Sequence, residues 1–399
     1  MQSKSRYAPL AGILFCLALS LLLCHSLAGG TLLSRNFYDS YSLQAENWLA
    51  GRNYIANGED YTWLELAIYN GRYYQSFPPV PAVFMLPFVV LFGSAAAVPS
   101  NLIMLFVALL CAAGVYACCL NAQASPVTAA FFTLFISFGS NTFWLSTSGS
   151  VWFMAQMLGL CLAFWGLFFV QRGGRVLPSL LFALAVGCRP FYAVLLAVWF
   201  LWQLRADHSP RAIVSAAAPA FVVAAAMMAY NYARFGSATE FGHNYLPEFL
   251  AANHGQFSLA YLLPNLANLL RPVTLDSTLQ LHFEIFNGFL FIIANPLFLL
   301  ALARGIQLLR QQEPRVPCSA LPTNGIAALL FCLLIVVLTA LHRTMGGWQF
   351  GTRYLVDLFP WVLAWFLVRP SWKPGTASWT LCGAAMLFNL YGAVYMLNT

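Results

Sequence analysis

The chain has 399 residues, of which 61% are hydrophobic and only 8% charged. Soluble globular proteins run at about 45–50% apolar and about 25% charged, so these residues cannot build a water-facing surface and a soluble enzyme is excluded. The formal net charge of +7, from 19 basic and 12 acidic residues, is read first by side of membrane and not as a nucleic-acid footprint.

Several apolar runs reach the roughly 20 residues that a spanning helix needs. None shows the alternation of an outer-membrane barrel, which predicts an all-α polytopic membrane protein. Lys4 and Arg6 precede a first apolar run from Ala8 to Ala28. Ser26-Leu27-Ala28 has the form of a signal-peptide cleavage site. The run is long for a signal sequence, however, and many spans follow, so it is expected to stay as a first helix. A polar stretch, 29–79, then holds Asp39, Glu46, Glu59, Asp60 and Glu65.

Further apolar segments cover roughly 80–92, 99–120, 126–146, 151–170, 176–188, 190–204, 212–233, 285–303, 325–341, 354–368 and 378–397. Between them lie the basic clusters Arg172/Arg175, Arg205/Arg211, Arg304/Arg310/Arg315 and Arg369/Lys373. If every segment spanned, all these clusters would fall outside, against the positive-inside rule. Segment 80–92 is short, follows Pro78-Pro79, contains Pro81 and Pro87, and ends at Gly93. Reading it as a juxtamembrane or re-entrant helix on the outer face brings the clusters into the cytoplasm. The Arg189-Pro190 turn between the short segments 176–188 and 190–204 is expected near the outer surface.

This yields about eleven spanning helices in a single integral membrane domain, with the N-terminus cytoplasmic. Residues 1–28 form the first helix and 29–98 an extracytoplasmic loop carrying juxtamembrane helices. Residues 99–234 are the central helices, 235–284 a second outer loop, and 285–399 the C-terminal helices. Arg35, Arg52, Arg72, Arg189, Arg234, Arg271, Arg343 and Arg353 face outward. The ten cysteines lie almost all in apolar runs and lack metal-ligand spacing with histidine, so they are expected to pack between helices. No internal repeat is visible.

The chemistry-capable groups concentrate in the outer loops. Ser40 to Ala50 is predicted as a short amphipathic helix with Tyr41, Ala45, Trp48 and Leu49 on one face. Asp39 sits at its N-cap, a position that aspartate favours for capping alone. The other reading of Asp39 is a general base whose basicity rises through partial desolvation. Asn70-Gly71 predicts a tight turn between two aromatic runs. Trp63, Tyr69, Tyr73 and Tyr74 fit an interfacial aromatic belt and equally a sugar-binding cleft; composition does not separate these.

Taken in order, an acid past the first helix, a small helix ending in Gly, Tyr69-Asn70-Gly71-Arg72-Tyr73-Tyr74 and Phe77-Pro78-Pro79-Val80-Pro81 resemble the GT-C membrane glycosyltransferases. The similarity is to the bacterial members related to protein O-mannosyltransferases and the lipid A aminoarabinose transferase. Leu184-Ala185-Val186-Gly187-Cys188-Arg189-Pro190, Tyr230-Asn231-Tyr232-Ala233-Arg234-Phe235-Gly236-Ser237, and Gly346-Gly347-Trp348-Gln349-Phe350-Gly351-Thr352-Arg353-Tyr354-Leu355 before Phe359-Pro360 extend it over most of the chain.

What this resemblance implies is a GT-C-like fold and an inverting transfer of a sugar from a polyprenyl-phosphate donor to an acceptor at the extracytoplasmic face. By position, Asp39 would be the catalytic base, ahead of Glu46 or Asp60. The lipid-phosphate leaving group needs cationic donors, for which Arg72, Arg189, His342, Arg343 and Arg353 are on the correct side. Arg189 and Arg353 stand out because each flanks apolar helix, where an unpaired charge is costly. Glu65, Tyr69, Tyr73 and Trp348 are the expected acceptor and sugar contacts. Glu65 stands where such loops usually carry Asp, and Ser40 where some relatives carry a second acid. With no clustered acids, neither a metal nor another cofactor is expected, and the lipid-linked sugar is a substrate.

The expected partners are that donor, a lipid, glycan or protein acceptor and the membrane lipids, with no nucleic acid. The expected location is the bacterial inner membrane. No soluble domain is visible, so the outer loops, chiefly 235–283, are expected to fix the acceptor. His243, His254, His282, Glu240 and Glu248 take no assignment. A multi-pass transporter or flippase is a rival, as is a polymerase or ligase of lipid-linked glycans; a non-catalytic assembly subunit is a third. Transport calls for midplane charges and usually a repeat; here Asp357 is the only mid-segment acid and lies within about one turn of the outer edge.

Overall fold

The computed structural model describes residues 2–278, 280–310, 325–367 and 372–398. Arg315, Cys318 and Arg369 lie outside the described residues. The chain is predominantly helical. It begins with α1 (Gln2–Leu27) and α2 (Ser40–Leu49), followed by a hairpin of β1 (Leu66–Tyr69) and β2 (Arg72–Gln75). The remaining helices of the first half are α3 (Val80–Phe92), α4 (Ser100–Asn121), α5 (Pro126–Ser137), α6 (Asn141–Leu145), α7 (Val151–Gln171), α8 (Val176–Val186), α9 (Tyr192–Ala206) and α10 (Pro210–Phe235). After them come α11 (Pro247–Leu250), α12 (Leu262–Asn268), a two-residue pairing of β3 (Thr274–Leu275) with β4 (Leu281–His282), α13 (Phe291–Ala294) and α14 (Leu297–Arg310). The chain closes with α15 (Gly325–Leu341), a 3-10 segment (Arg353–Leu358), α16 (Phe359–Leu367) and α17 (Thr376–Leu397).

Local chemistry accounts for the boundaries. Ser125 and Ser209 accept hydrogen bonds from Thr128 N and Ala212 N, each just before a proline at the first helical position, where the missing N–H costs nothing. The hairpin turns on Asn70 (φ 50°) and Gly71 (φ 72°), the left-handed pair that a two-residue connection requires. The turn sequence had predicted it, and the register pairs Tyr69 with Arg72 and Leu66 with Gln75.

Helices α4 and α7 form the centre, mostly buried, whereas α10 is covered by protein along little of its length. Around them pack α1, α5, α8, α16 and α17, with Phe131, Phe132, Phe135, Phe164 and Trp199 among the fully buried side chains. Helix α3 packs on α2 and touches α7, forming a small layer with α2 at the end of the bundle that carries the long first loop.

Among the described residues five helices, α1 (from Arg6), α4, α7, α10 and α17, are long and apolar enough to cross a membrane by themselves. The other expected spans are shorter or broken, and the breaks are informative. Segment 126–146 divides between α5 and α6. Segment 285–303 is non-helical up to Leu290 and divides again at Asn295-Pro296, between α13 and α14. Segment 354–368 opens as the 3-10 turn.

A broken helix in an apolar setting must satisfy the backbone groups it frees, and here the breaks satisfy one another. Asn295 accepts the Asn141 N–H at 3.0 Å and donates to Phe291 O at 3.0 Å. The Asn295 amide also donates to the Asn141 side chain. Asn141 donates in turn to Phe350 O, and Asn389 on α17 to Ala294 O at 2.8 Å. Thr352 Oγ1 reaches Phe289 O at 2.8 Å. Three chain breaks thereby fix the stretch 342–353, and the sequence carried this as asparagines in apolar runs.

Asn295→Ala is expected to leave the buried Asn141 N–H unsatisfied, at a cost of about 1–3 kcal/mol. Thermal unfolding of the purified protein in detergent, wild type beside variant, measures it.

Candidate functional site

The site is built from a turn, a 3-10 segment and the first loop. The turn is held by a close approach: Val80 N donates to Gly187 O at 3.1 Å, and a Cβ on Gly187 would lie 2.3 Å from a Val80 methyl. Glycine is therefore required, and Arg189, two residues on, is carried into the protein instead of toward lipid. Its Nε donates to Asp357 Oδ2 at 2.7 Å. Asp357 Oδ1 accepts from Tyr192 Oη at 3.1 Å and from Gln156 Nε2 at 3.3 Å. Gln156 also donates to Arg353 O at 2.6 Å, which ties the ion pair to the second arginine.

Arg353 is 3% exposed. Its Nη2 donates to Gly346 O at 2.9 Å, and its backbone N–H to Gln349 Oε1 at 2.9 Å. Both guanidiniums lie against one ring: Arg189 Cζ is 4.7 Å and Arg353 Cζ 5.0 Å from the centroid of Tyr354. Among the described residues no partner meets Arg189 Nη2, Arg353 Nε, Arg353 Nη1 or the hydroxyl of Tyr41, all buried. Tyr41 interacts electrostatically with both Arg189 and Asp39. Each unmet buried donor costs about 1–3 kcal/mol, and such a gathering calls for a specific explanation. Two guanidiniums here share one ion-paired carboxylate, which leaves an excess of positive charge.

The first loop supplies the acids. Asp39 is the N-cap of α2, as the sequence predicted: Oδ1 accepts Ser42 N at 3.0 Å and Oδ2 accepts Ser42 Oγ at 2.6 Å. It is 0% exposed. Burial raises its pKa, against the lowering effect of the Ser42 bonds and the Arg35 charge. Glu65 is half-buried, with Oε2 accepting Trp152 Nε1 at 3.0 Å. Desolvation by burial pushes it up to about 7, opposed by the Trp152 bond, reinforced by Glu248 and opposed by Arg353.

The other sequence candidates are dispersed. His342 is buried, its ring 6.3 Å from that of Tyr354, with Nδ1 donating to Thr344 O and Nε2 receiving the Gln256 amide. Arg343 is used to hold the second loop, donating to Glu248 O and lying over Phe249. Arg72 is exposed at the hairpin turn, 4.7 Å over the Tyr54 ring, and no contact joins it to Tyr354. Tyr69 packs on Tyr245 and Phe235, and Tyr73 on the small cluster around Ile55. These two tyrosines anchor the hairpin. Trp348 is 47% exposed and lines a separate cavity of about 640 Å³ with Phe286, Glu284, His282 and Tyr395.

Of the unassigned histidines, His243 bonds Ser76 O at 2.8 Å and is kept neutral by burial, which lowers it to about 4. His282 pairs with Asp276, and His254 is exposed beside Tyr261. No group of three or more histidines, cysteines or acids suited to a metal occurs among the described residues.

The sequence assigns no site role to Tyr41, Trp152, Gln156, Tyr192 or Tyr354, and shows Asp357 only as an isolated acid. The one available signal was Asp357 itself, four residues after Arg353. Its partner Arg189 is distant in sequence and no local pattern reveals it. Arg234 was also missed as an anchor: its Nη1 donates to Gln75 O at 2.6 Å, pinning the hairpin to the end of α10.

Among solved structures the chain is similar to ArnT from Cupriavidus metallidurans bound to undecaprenyl phosphate, with a TM-score of 0.52 and 15% identity. That likeness covers 91% of this chain and 61% of that one. The apo state of the same ArnT (TM-score 0.49, 15% identity, 91% and 60% covered) is a second match. The apo oligosaccharyltransferase of Archaeoglobus fulgidus (0.46, 13%, 98% and 56%) is a third. The chain thus spans about three fifths of the ArnT length. No family model matches the chain, and no curated protein matches it in sequence. The ArnT likeness is one of fold, and ArnT is a GT-C protein, the class that the motifs resemble.

Removing the acid of the ion pair by Asp357→Ala is expected to strand Arg189 and cost about 3–5 kcal/mol. A fall in thermal stability well beyond that of an exposed control such as Glu59→Ala measures it.

Proposed function

We propose that this GT-C-fold chain is an inverting membrane glycosyltransferase that moves a sugar from a polyprenyl-phosphate-linked donor to an acceptor at the extracytoplasmic face of a bacterial inner membrane. The observation that carries the reading is the set of unmet buried donors on Arg189 and Arg353 around Tyr354, with the unmet Tyr41 hydroxyl interacting with Arg189. Undecaprenyl phosphate in ArnT, a protein of the same fold, supports a lipid phosphate as the ligand here.

The chemistry follows from charge. As the bond from the anomeric carbon to the phosphate oxygen breaks, negative charge grows on the phosphate. Donors already fixed toward that charge stabilise the transition state without reorganising. Arginine suits the task through its planar fork and permanent charge. The Asp357 pair and the Gly346 carbonyl hold the two forks in place, so little side-chain entropy is lost on binding. The acceptor hydroxyl attacks the opposite face of the sugar and gives its proton to a carboxylate of the first loop. The resemblance assigns that part to Asp39, and Glu65 is the second acid present.

His342, beside Tyr354, is a further polar group of the cluster, and Arg343 and Arg72 are its outlying cations. Tyr69, Tyr73 and Trp348 are the aromatic contacts proposed for acceptor or sugar. The donor is a hexosyl or pentosyl lipid, and a lipid, glycan or protein is the acceptor. A transporter would need a charge free to bind and release its cargo. Asp357 instead holds three hydrogen bonds, and this favours the transferase.

The test is sugar transfer in proteoliposomes of the purified protein, with a panel of undecaprenyl-phosphate-linked sugars and extracted envelope lipid, glycan and protein as acceptors. Arg353→Gln is expected to lower turnover by roughly 100- to 1,000-fold, the cost of one lost oxyanion donor, and to weaken undecaprenyl phosphate binding. Transfer undiminished in the variant would remove Arg353 from the site. Failure of the wild type to consume any donor would count against the transferase.

A further inference from the structure

We propose that Glu65, and not Asp39, receives the proton of the acceptor hydroxyl, while Asp39 positions the loop that carries the site. This rests on the transferase reading. The two carboxylates differ first in their hydrogen bonds. Both oxygens of Asp39 are taken by Ser42 of its own helix, inside a fully buried N-cap. Burial outweighs these bonds and raises Asp39 overall, but with both oxygens occupied and the group fully buried, neither oxygen is open to a substrate hydroxyl. A base must also come within hydrogen-bond reach of the proton it removes.

Glu65 differs on each count. Only Oε2 is engaged, by the Trp152 indole at 3.0 Å, and among the described residues Oε1 receives no hydrogen bond. Three groups face it: the Trp152 N–H and the Arg353 cation, which favour its charged form, and Glu248, which opposes it. Burial dominates these and lifts it to about 7, a value matched to taking up and releasing a proton near neutrality. Arg353, with two nitrogens unmet, interacts with Glu65 on one side and shares Tyr354 with Arg189 on the other. The carboxylate therefore borders the phosphate cluster.

The surroundings also narrow the acceptor. The Trp152 ring packs 5.1 Å from Tyr38, and Phe37 stacks on Trp63 at 4.6 Å. Phe37, Tyr38 and Trp63 are 61%, 38% and 40% exposed. An accessible aromatic surface beside the carboxylate fits an acceptor that presents a hydroxyl next to a flat apolar face, as a sugar ring does. In the step, the acceptor oxygen forms the bond to the anomeric carbon as the carbon–phosphate oxygen bond breaks. The proton passes to Glu65, and the electron pair leaves on the polyprenyl phosphate.

The experiment is the pH profile of kcat/KM in the proteoliposome assay, which reports the free enzyme. It compares wild type with Glu65→Gln, Asp39→Asn and Trp152→Phe, each checked for unchanged melting temperature and for undecaprenyl phosphate binding. Wild-type activity is expected to rise with pH through about 7. Glu65→Gln should lose roughly 100- to 10,000-fold in kcat, lose that limb and still bind undecaprenyl phosphate. Trp152→Phe keeps the ring but removes the bond that lowers Glu65, so its limb should move to higher pH. Asp39→Asn should keep the limb.

A Glu65→Gln enzyme with normal rate and limb would overturn the assignment. So would a folded, lipid-binding Asp39→Asn enzyme that is inactive beside an active Glu65→Gln. An inactive wild type would overturn the transferase reading and this assignment with it.

Discussion

Arg189 and Arg353 lie against the same tyrosine ring, and among the described residues the one ion pair of the two is that of Arg189 with Asp357. Bringing two guanidiniums out of water in an apolar helical protein is among the most expensive things a chain can do. The ion pair offsets that cost for Arg189. For Arg353 the fold provides one carbonyl, two aromatic faces and two more distant carboxylates, Glu65 and Asp357. A protein selected for stability alone has no reason to keep a cation in this condition. A site for a phosphate group does.

The rest of the architecture can be understood as what makes this arrangement possible. Arg353 opens the 3-10 segment, directly after the irregular stretch that follows α15, and irregular backbone beside apolar helices survives only if its polar groups find partners. Asn141, Asn295 and Asn389 supply them. Arg189 sits at a turn that needs Gly187 to approach Val80. Arg234 fixes the hairpin of the first loop to α10, and that hairpin leads from Glu65 at one end to Ser76 at the other. The polar residues of the interior thus form two linked sets, one holding broken backbone and one holding the cations.

Much of the framework was legible in the sequence because it depends on local rules. The apolar runs, the Asn70-Gly71 turn, the Asp39 cap and a short helix over residues 80–92 all follow from periodicity, turn geometry or proline placement, and the structure has each of them. The breaks inside 126–146 and 285–303 were not legible, because hydropathy is blind to whether an apolar run stays helical. What stops it is a set of asparagines satisfied from other helices. Arg189 and Arg353 stood out as costly charges beside apolar helix, and the structure buries most of both side chains. Their joint use of Tyr354, the role of Asp357 and the difference between Asp39 and Glu65 depend on contacts between residues far apart in sequence.

The central claim is that the cluster around Tyr354 receives a lipid phosphate. The most direct measurement is a cryo-electron microscopy map of the protein in lipid nanodiscs loaded with undecaprenyl phosphate. The account predicts headgroup density bounded by Arg189, Arg353 and the Tyr41 hydroxyl, with the polyprenyl chain running outward from it. A headgroup held instead at Arg72 or in the Trp348 cavity, with the Tyr354 cluster unchanged, would contradict it.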